Sequence, residues 1–421
     1  MNFFSNLDRW PAQTGIGNPS LTAAGTAIAT VAMLSLVRRL LWPTPPKTLH
    51  SPLRTVVSGL SQDEIAKLDY KPDIFPGARD VETPYGSIRV YEWGPLSGDK
   101  VLFVHGISTS CMTLGKLAHA LVEERGCRVM LFDLFGRGFS DNPADLPHDA
   151  RLYTTQILLA LASATETSWT APREGGGGGG GSGGFKLVGY SLGGGIAVHF
   201  AAAFPHLVSS LVLLAPAGLI RPQSFGAVTR LVFSTGLVPP PLLEWITRRR
   251  LRQPIGANSK RWKKKMNSNI NGHSNPTTTT GDKPDPVSAS LTEIPSTSTP
   301  TPTPNLPDRV LRAIHWQLRH HRGFVPAFLS TIRHAPLTDQ HAAWARLAGT
   351  RAPGTTCVIL GADDEIIDPD EYAADALPLL GGTAHVRWSV LSGPGSAHDF
   401  PMTLPRETLG EMYKAWGWES E

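Results

Sequence analysis

Apolar residues in this chain cluster in short runs, at 101–105, 128–133, 185–190, 211–215, 357–361 and 386–391. Runs this short lack the alternation of a half-exposed strand, and they read as strands buried on both faces. Between them, apolar positions recur at helical spacing over 113–124, 153–165, 192–203 and 405–416. Strand and helix in alternation predict a parallel, doubly wound sheet. Ahead of it, residues 81–94 predict two strands around a Tyr85-Gly86 turn, an antiparallel opening to the sheet.

The pattern lapses in several places. Residues 44–79 read as a polar connector with one short helical patch, where Ser61 and Glu64 have capping-box spacing. Glu174 is followed by a glycine run over 175–184, interrupted by Ser182. It lacks the Gly-Lys-Ser/Thr ending of a phosphate loop and reads as a linker. Residues 267–305, rich in Thr, Ser, Pro and Asn, hold too little apolar material to offset ordering entropy and are expected to be disordered. They lie within 219–345, whose remaining parts carry apolar stretches such as 231–238, 242–246 and 324–329. A lid of short helices, inserted before the penultimate strand and split by the polar insert, is the expectation. The resulting order is an N-terminal tail (1–43), the connector (44–79), the first part of the core (80–218), the lid (219–345) and the second part of the core (346–421).

Within the tail, Leu21 to Val37 is uncharged and closed by Arg38-Arg39. It is short for a bilayer span and only moderately apolar, with a membrane anchor as the leading reading and a targeting peptide or a docked soluble helix as alternatives. If it spans, the two arginines place the remaining chain on the cytosolic side. The formal charge of +4 and the 18% of charged residues demand no nucleic-acid partner. Nine basic residues over 248–265, interleaved with Trp262, are instead suited to anionic lipid headgroups, so a membrane-surface partner is expected. Cys111, Cys127 and Cys357 have no metal or redox spacing, which fits a reducing compartment.

The candidate chemistry sits where strands end. Phe185–Tyr190 runs into Gly189-Tyr-Ser191-Leu-Gly193 and then into a helix-compatible stretch. A serine in so sharp a turn needs neighbours without side chains, and Gly189 and Gly193 supply them. The run 357–361 ends in Asp363-Asp364, and the run 386–391 is followed by Gly393-Pro-Gly-Ser-Ala-His398. Serine, then aspartate, then histidine, each just past a strand's C-terminal end, makes a nucleophile, an orienting acid and a base in workable order.

With these motifs the chain resembles the α/β-hydrolase-fold serine hydrolases, well over 80–218 and 345–421 and loosely over the lid. The resemblance implies Ser191 as nucleophile, His398 as general base and Asp364 as the orienting acid, Asp364 having the family's Gly-x-x-Asp offset from Gly361. Asp363 and Asp368 stay open as rivals for the acid, and His385 as a rival base. The resemblance also implies an oxyanion hole made by the backbone N–H groups of Ile107 and Leu192. His105 is expected to hold its loop by hydrogen bonding, and Asp133-Leu-Phe-Gly-Arg-Gly-Phe-Ser-Asp141 matches the family's turn that shapes the pocket floor. No cofactor or metal is implied. The five histidines from His315 to His341 lack accompanying ligands at metal spacing and read as a solvated lid face. The implied function is cleavage of an ester, of lipid-like type as in monoacylglycerol-lipase-like or carboxylesterase-like members. A C–C bond hydrolase, thioesterase or amidase, or a non-catalytic scaffold, are the alternatives.

Overall fold

The computed structural model describes residues 19–41, 46–170, 184–221, 240–251 and 305–418. The chain divides after Pro46 into two compact units. In the first, one helix runs over Pro19–Leu41 and contains the candidate anchor. Its Thr30 hydroxyl donates back to the Thr26 carbonyl at 2.8 Å. Among the described residues no helix is long and apolar enough to cross a membrane, so the spanning reading of Leu21–Val37 is not supported. The segment is helical throughout, over Pro19–Leu41.

The second unit is built on an eight-stranded sheet. Its strands are β2 (Arg79–Thr83), β3 (Gly86–Trp93), β4 (Lys100–Val104), β5 (Arg128–Phe132), β7 (Phe185–Tyr190), β8 (Val208–Leu214), β9 (Thr356–Gly361) and β10 (Val386–Leu391), with β1 (Thr48–Leu49) and β6 (Asn142–Pro143) forming a separate antiparallel pair. The order across the sheet is β10-β9-β8-β7-β4-β5-β3-β2. All pairs are parallel except β2 with β3 and β3 with β5. Central strands are buried almost end to end, as runs such as Arg128–Phe132 and Leu211–Leu214 require. The edge strand β2 alternates between half-buried and exposed positions and carries Arg79, Asp80 and Glu82, side chains that discourage pairing with a further strand.

From β4 the chain crosses to β5 on one side, and β7 returns to the other side of β4. The strand order thus reverses between β4 and β7, and open α/β sheets bind ligands in the crevice beyond the carboxyl ends at such a point. The loops after β4 and β7 carry Ile107 and Ser191.

One expectation is modified here. The connector read over 44–79 packs onto the core through its residues from Lys47 on: Tyr70 and Phe75 are buried, and Phe75 stacks on Trp93 with centroids 5.4 Å apart. The Ser61–Glu64 capping box does form, with both reciprocal bonds present. Between β8 and β9 the described residues contain helices at Pro240–Leu251, Leu306–His320, Phe324–His334 and His341–Thr350. All but the last residue of the glycine run and of the 267–305 insert, and the basic run beyond Leu251, lie outside the described residues.

Candidate active site

Ser191 occupies the turn between β7 and the helix Leu192–Ala203, with φ 53° and ψ −119°, a conformation that strains any residue with a Cβ. The turn is pinned on both sides. Ser191 N–H donates to the Leu214 carbonyl at 2.9 Å, and its own carbonyl accepts from Ala217 N–H at 2.9 Å. A Cβ on Gly193 would lie 2.1 Å from the Val104 carbonyl oxygen, so only glycine lets the helix start press against the end of β4.

His398 arrives from the loop after β10. Its Nε2 is 3.0 Å from Ser191 Oγ and its Nδ1 is 2.7 Å from Asp364 Oδ2. Because a carboxylate only accepts, Nδ1 carries the proton and Nε2 is left to accept from the serine hydroxyl. The His398 and Asp364 side chains are almost wholly removed from solvent, at 1% and 0% exposure, which strengthens both contacts. Asp364 Oδ1 accepts from Ile366 N–H at 2.8 Å and Ile367 N–H at 2.9 Å, so both oxygens are committed.

The rivals are occupied elsewhere. Asp363 takes the Ser396 hydroxyl at 3.1 Å. Asp368 is the N-cap of the helix Pro369–Leu380, accepting from Asp370 and Glu371 N–H groups. His385 is exposed and bonds the Gly381 carbonyl at the end of that same helix. Tyr190, to which the sequence assigned no role, also touches the site. Its hydroxyl donates to the His398 carbonyl at 3.2 Å, and its ring lies 5.5 Å from the imidazole, steadying the base from below.

The second half of the site is the loop after β4. His105 is fully buried, and that burial holds its pKa down to about 3, so the ring is neutral. Its Nε2 accepts from Leu134 N–H at 2.9 Å, and its Nδ1–H donates to the Gly106 carbonyl at 2.9 Å. That carbonyl belongs to the peptide whose N–H is Ile107's, so His105 orients the group expected to face an oxyanion. Leu192, the other candidate donor, opens the helix that begins immediately after Ser191. Helix-opening N–H groups have no intrahelical acceptor and sit at the positive end of the helix dipole.

The Asp133–Asp141 turn folds on itself. Asp133 accepts from Phe139 N–H at 2.8 Å, Cys111 N–H at 3.0 Å and the Tyr70 hydroxyl at 2.8 Å. Burial raises its pKa against the opposing pull of those donors. Of the five histidines, His334 and His341 are exposed, His315 and His320 are half-buried, and His321 is buried, donating through Nε2 to the Ser140 carbonyl at 3.0 Å and accepting Gly323 N–H at Nδ1 at 3.1 Å. Its helix ends there, and the chain turns inward to pin the Asp133–Asp141 turn. Among the described residues no group of three or more His, Cys, Asp or Glu side chains is placed to hold a metal ion.

Strand order, serine turn and acid-base pair agree with a comparison of the whole sequence, in which the profile of the alpha/beta hydrolase fold matches residues 100–378, well over half of the chain. The chain belongs to the alpha/beta hydrolase fold family. Among similar proteins, lipase LipV of Mycobacterium tuberculosis is 31% identical over 157 residues, covering 37% of this chain and 51% of LipV. A serine hydrolase-like protein of Dictyostelium discoideum is 30% identical over 138 residues, covering 32% of this chain and 34% of that protein. The matched stretches therefore span about half or less of these relatives' own length. A solved membrane phospholipase A, a bacterial virulence factor, superposes with a TM-score of 0.51 at 16% identity, covering 94% of this chain and 98% of that one. At that identity the likeness speaks for the fold. Within this alpha/beta hydrolase, the serine turn, the acid and the base all stand at the carboxyl edge of the parallel strands, where the family fold leaves a crevice.

Proposed function

We propose that this chain is a serine hydrolase that cleaves a carboxylic ester of apolar or lipid-like character through an acyl-enzyme. The observation that carries the reading is the double contact of His398, with Ser191 Oγ at 3.0 Å on one nitrogen and Asp364 Oδ2 at 2.7 Å on the other. Ser191 Oγ attacks the ester carbonyl while Nε2 of His398 takes its proton. The developing oxyanion is met by the N–H groups of Ile107 and Leu192. Collapse expels the alkoxide, which leaves as the alcohol with the proton from His398. Water then attacks the acyl-serine with His398 as base, releasing the acid and restoring the serine hydroxyl. Asp364 holds the imidazole in the tautomer that each step requires and stabilises the imidazolium.

One observation supports an apolar substrate: the LipV relative is named a lipase. We also propose that the protein works at a membrane surface without spanning it. Ile28, Val31, Met33, Leu34 and Leu36 are exposed on the N-terminal helix, and Leu242 and Trp245 are exposed on the helix that carries Arg248, Arg249 and Arg250.

The test is labelling by a fluorophosphonate probe together with turnover of a short aryl ester. Ser191→Ala and His398→Ala each abolish labelling, and turnover falls by about 10⁶, the scale seen when one member of a coupled triad is lost. Labelling of Ser191→Ala at the wild-type rate would sink the reading.

A further inference from the structure

Arg137 is fully buried, yet among the described residues it forms no ion pair with a carboxylate. All its bonds go to neutral acceptors. Nε donates to the Ile107 carbonyl at 3.0 Å, Nη1 to the Phe135 carbonyl at 2.9 Å and the Tyr153 hydroxyl at 3.0 Å, and Nη2 to Thr331 Oγ1 at 2.8 Å. Tyr153 and Thr331 are themselves 2.8 Å apart, and the Thr331 hydroxyl donates to the Ala327 carbonyl at 2.7 Å. One rigid, planar guanidinium thus joins the loop after β4, the turn after β5, the helix Ala150–Ala162 and the inserted helix Phe324–His334. A buried cation without a counter-ion is costly to keep, and a well-packed neutral side chain is ordinarily the more stable choice.

The inserted helices seat directly on the turn that holds Arg137. A Cβ on Gly136 would lie 2.2 Å from Ala327 Cβ. Gly138 N–H donates to Gln317 Oε1, on the preceding inserted helix, at 2.6 Å. A shift of either inserted helix is therefore transmitted to the turn, and through Nε to Ile107, whose N–H is the proposed oxyanion donor.

We propose that Arg137 is a positioning residue that couples the seating of the inserted helices, through Thr331, to the placement of Ile107 in the oxyanion hole. The inference rests on the serine-hydrolase reading above and assigns the control of that same site. When the helix Phe324–His334 is seated, the guanidinium fork is filled and the Ile107 carbonyl, on the other side of the same Cα as the N–H, is held. When it lifts, Thr331 leaves the fork and the loop after β4 loses one of its anchors. The guanidinium charge beside the Ile107 carbonyl also adds a favourable field where negative charge develops.

The test measures kcat and KM on a short soluble ester, the rate of fluorophosphonate labelling and the melting temperature for Arg137→Lys, Thr331→Val and the double variant. An ammonium keeps the charge but cannot reproduce the fork. Arg137→Lys is expected to lower kcat and the labelling rate by about tenfold or more, with KM within about threefold, the pattern of an interaction lost mainly in the transition state. Thr331→Val, which removes the hydroxyl bonded to Arg137, Tyr153 and Ala327 while leaving the guanidinium in place, lowers kcat several-fold in the wild-type background and has little further effect in Arg137→Lys. Wild-type kcat in either single variant, or losses that multiply in the double variant, would overturn the proposal. A change confined to melting temperature would do the same by leaving Arg137 a purely structural residue. If Arg137→Lys does not fold, folded Thr331→Val decides alone: a several-fold fall in kcat at unchanged KM supports the coupling, and wild-type kcat overturns it. These outcomes are read on wild-type protein that labels at Ser191, so failure of the serine-hydrolase reading shows separately as wild-type protein that does not label.

Discussion

Asp364 and His398 meet across 2.7 Å at the carboxyl edge of the sheet, and the carboxylate's second oxygen is held by the N–H groups of Ile366 and Ile367. The acid is thereby locked in one rotamer by its own following turn, so the imidazole inherits a fixed direction. The neighbouring carboxylates have other duties, Asp363 on Ser396 and Asp368 at a helix start. Asp364→Asn should lower turnover by about 10⁴, the cost of presenting the wrong tautomer in a comparable triad. Asp363→Asn and Asp368→Asn should stay within roughly tenfold, with Asp368→Asn the milder because asparagine caps nearly as well. Steady-state kinetics of the three variants check the ranking, and a reversal would move the acid.

Gly193 carries a second expectation. Its missing Cβ is what allows Val104 to approach, and a methyl at 2.1 Å from a backbone oxygen has no rotamer by which to escape. Gly193→Ala must push apart the helix start and the loop carrying His105 to Ile107, the two proposed sources of oxyanion donors. Loss of one such donor costs on the order of 10² to 10³ in kcat. Gly193→Ala should fall in that range or below it, while Gly410→Ala, where a Cβ meets nothing within 4 Å, should retain wild-type turnover.

His321 predicts an acid limb in stability. Burial holds its pKa down at about 4, against an ordinary value of 6.5. The unfolded chain therefore binds a proton that the folded protein refuses between those values. Its contribution is complete above pH 6.5, diminishes as pH falls from 6.5 towards 4, and changes little below. The slope is about 1.4 kcal/mol per pH unit for one such group. Denaturant titrations at several pH values should show His321→Asn with a flatter slope across this window than the wild type. His105 and His148, both held down at about 3, continue to contribute in both proteins.

How much of this was legible in the sequence depends on how local the cause is. The strand over 185–190 and the helix over 192–203 coincide with their predicted bounds because apolar runs and glycines decide them within a few residues. The order Ser191, Asp364, His398 was legible for the same reason, each standing at a strand end that the pattern marks. The helix Pro369–Leu380 was missed, since Asp368, Asp370 and Glu371 look like a polar loop until Asp368 is seen capping them. The packing of Tyr70 and Phe75, the burial of His321 and the fork of Arg137 depend on segments tens to hundreds of residues apart. No periodicity encodes such contacts. In Gly136-Arg137-Gly138 the motif carried the signal, and nothing in it marked the arginine as buried.

The proposed membrane surface makes the last prediction. The N-terminal helix exposes Ile28, Val31, Met33, Leu34 and Leu36, with Ile28 at 70% and Met33 at 68%, which is more apolar surface than an isolated soluble helix ordinarily leaves in water. On the helix Pro240–Leu251, Trp245 is 58% exposed with the Arg249 guanidinium 5.8 Å from its ring, an aromatic and a cation side by side as lipid headgroups favour. A protein beginning at Lys47, the start of the second compact unit, should keep its turnover of a short soluble ester while losing most of its sedimentation with phosphatidylserine vesicles. In that shortened protein, Trp245→Ala and Arg249→Gln should each reduce the remaining vesicle binding. The Arg249 effect should shrink as salt rises, because headgroup attraction is screened within about 10 Å at 0.1 M salt. The Trp245 effect should persist, since apolar burial is not screened. Vesicle binding that is unchanged by the truncation and by both substitutions would refute the membrane reading and leave a hydrolase that meets its ester in solution.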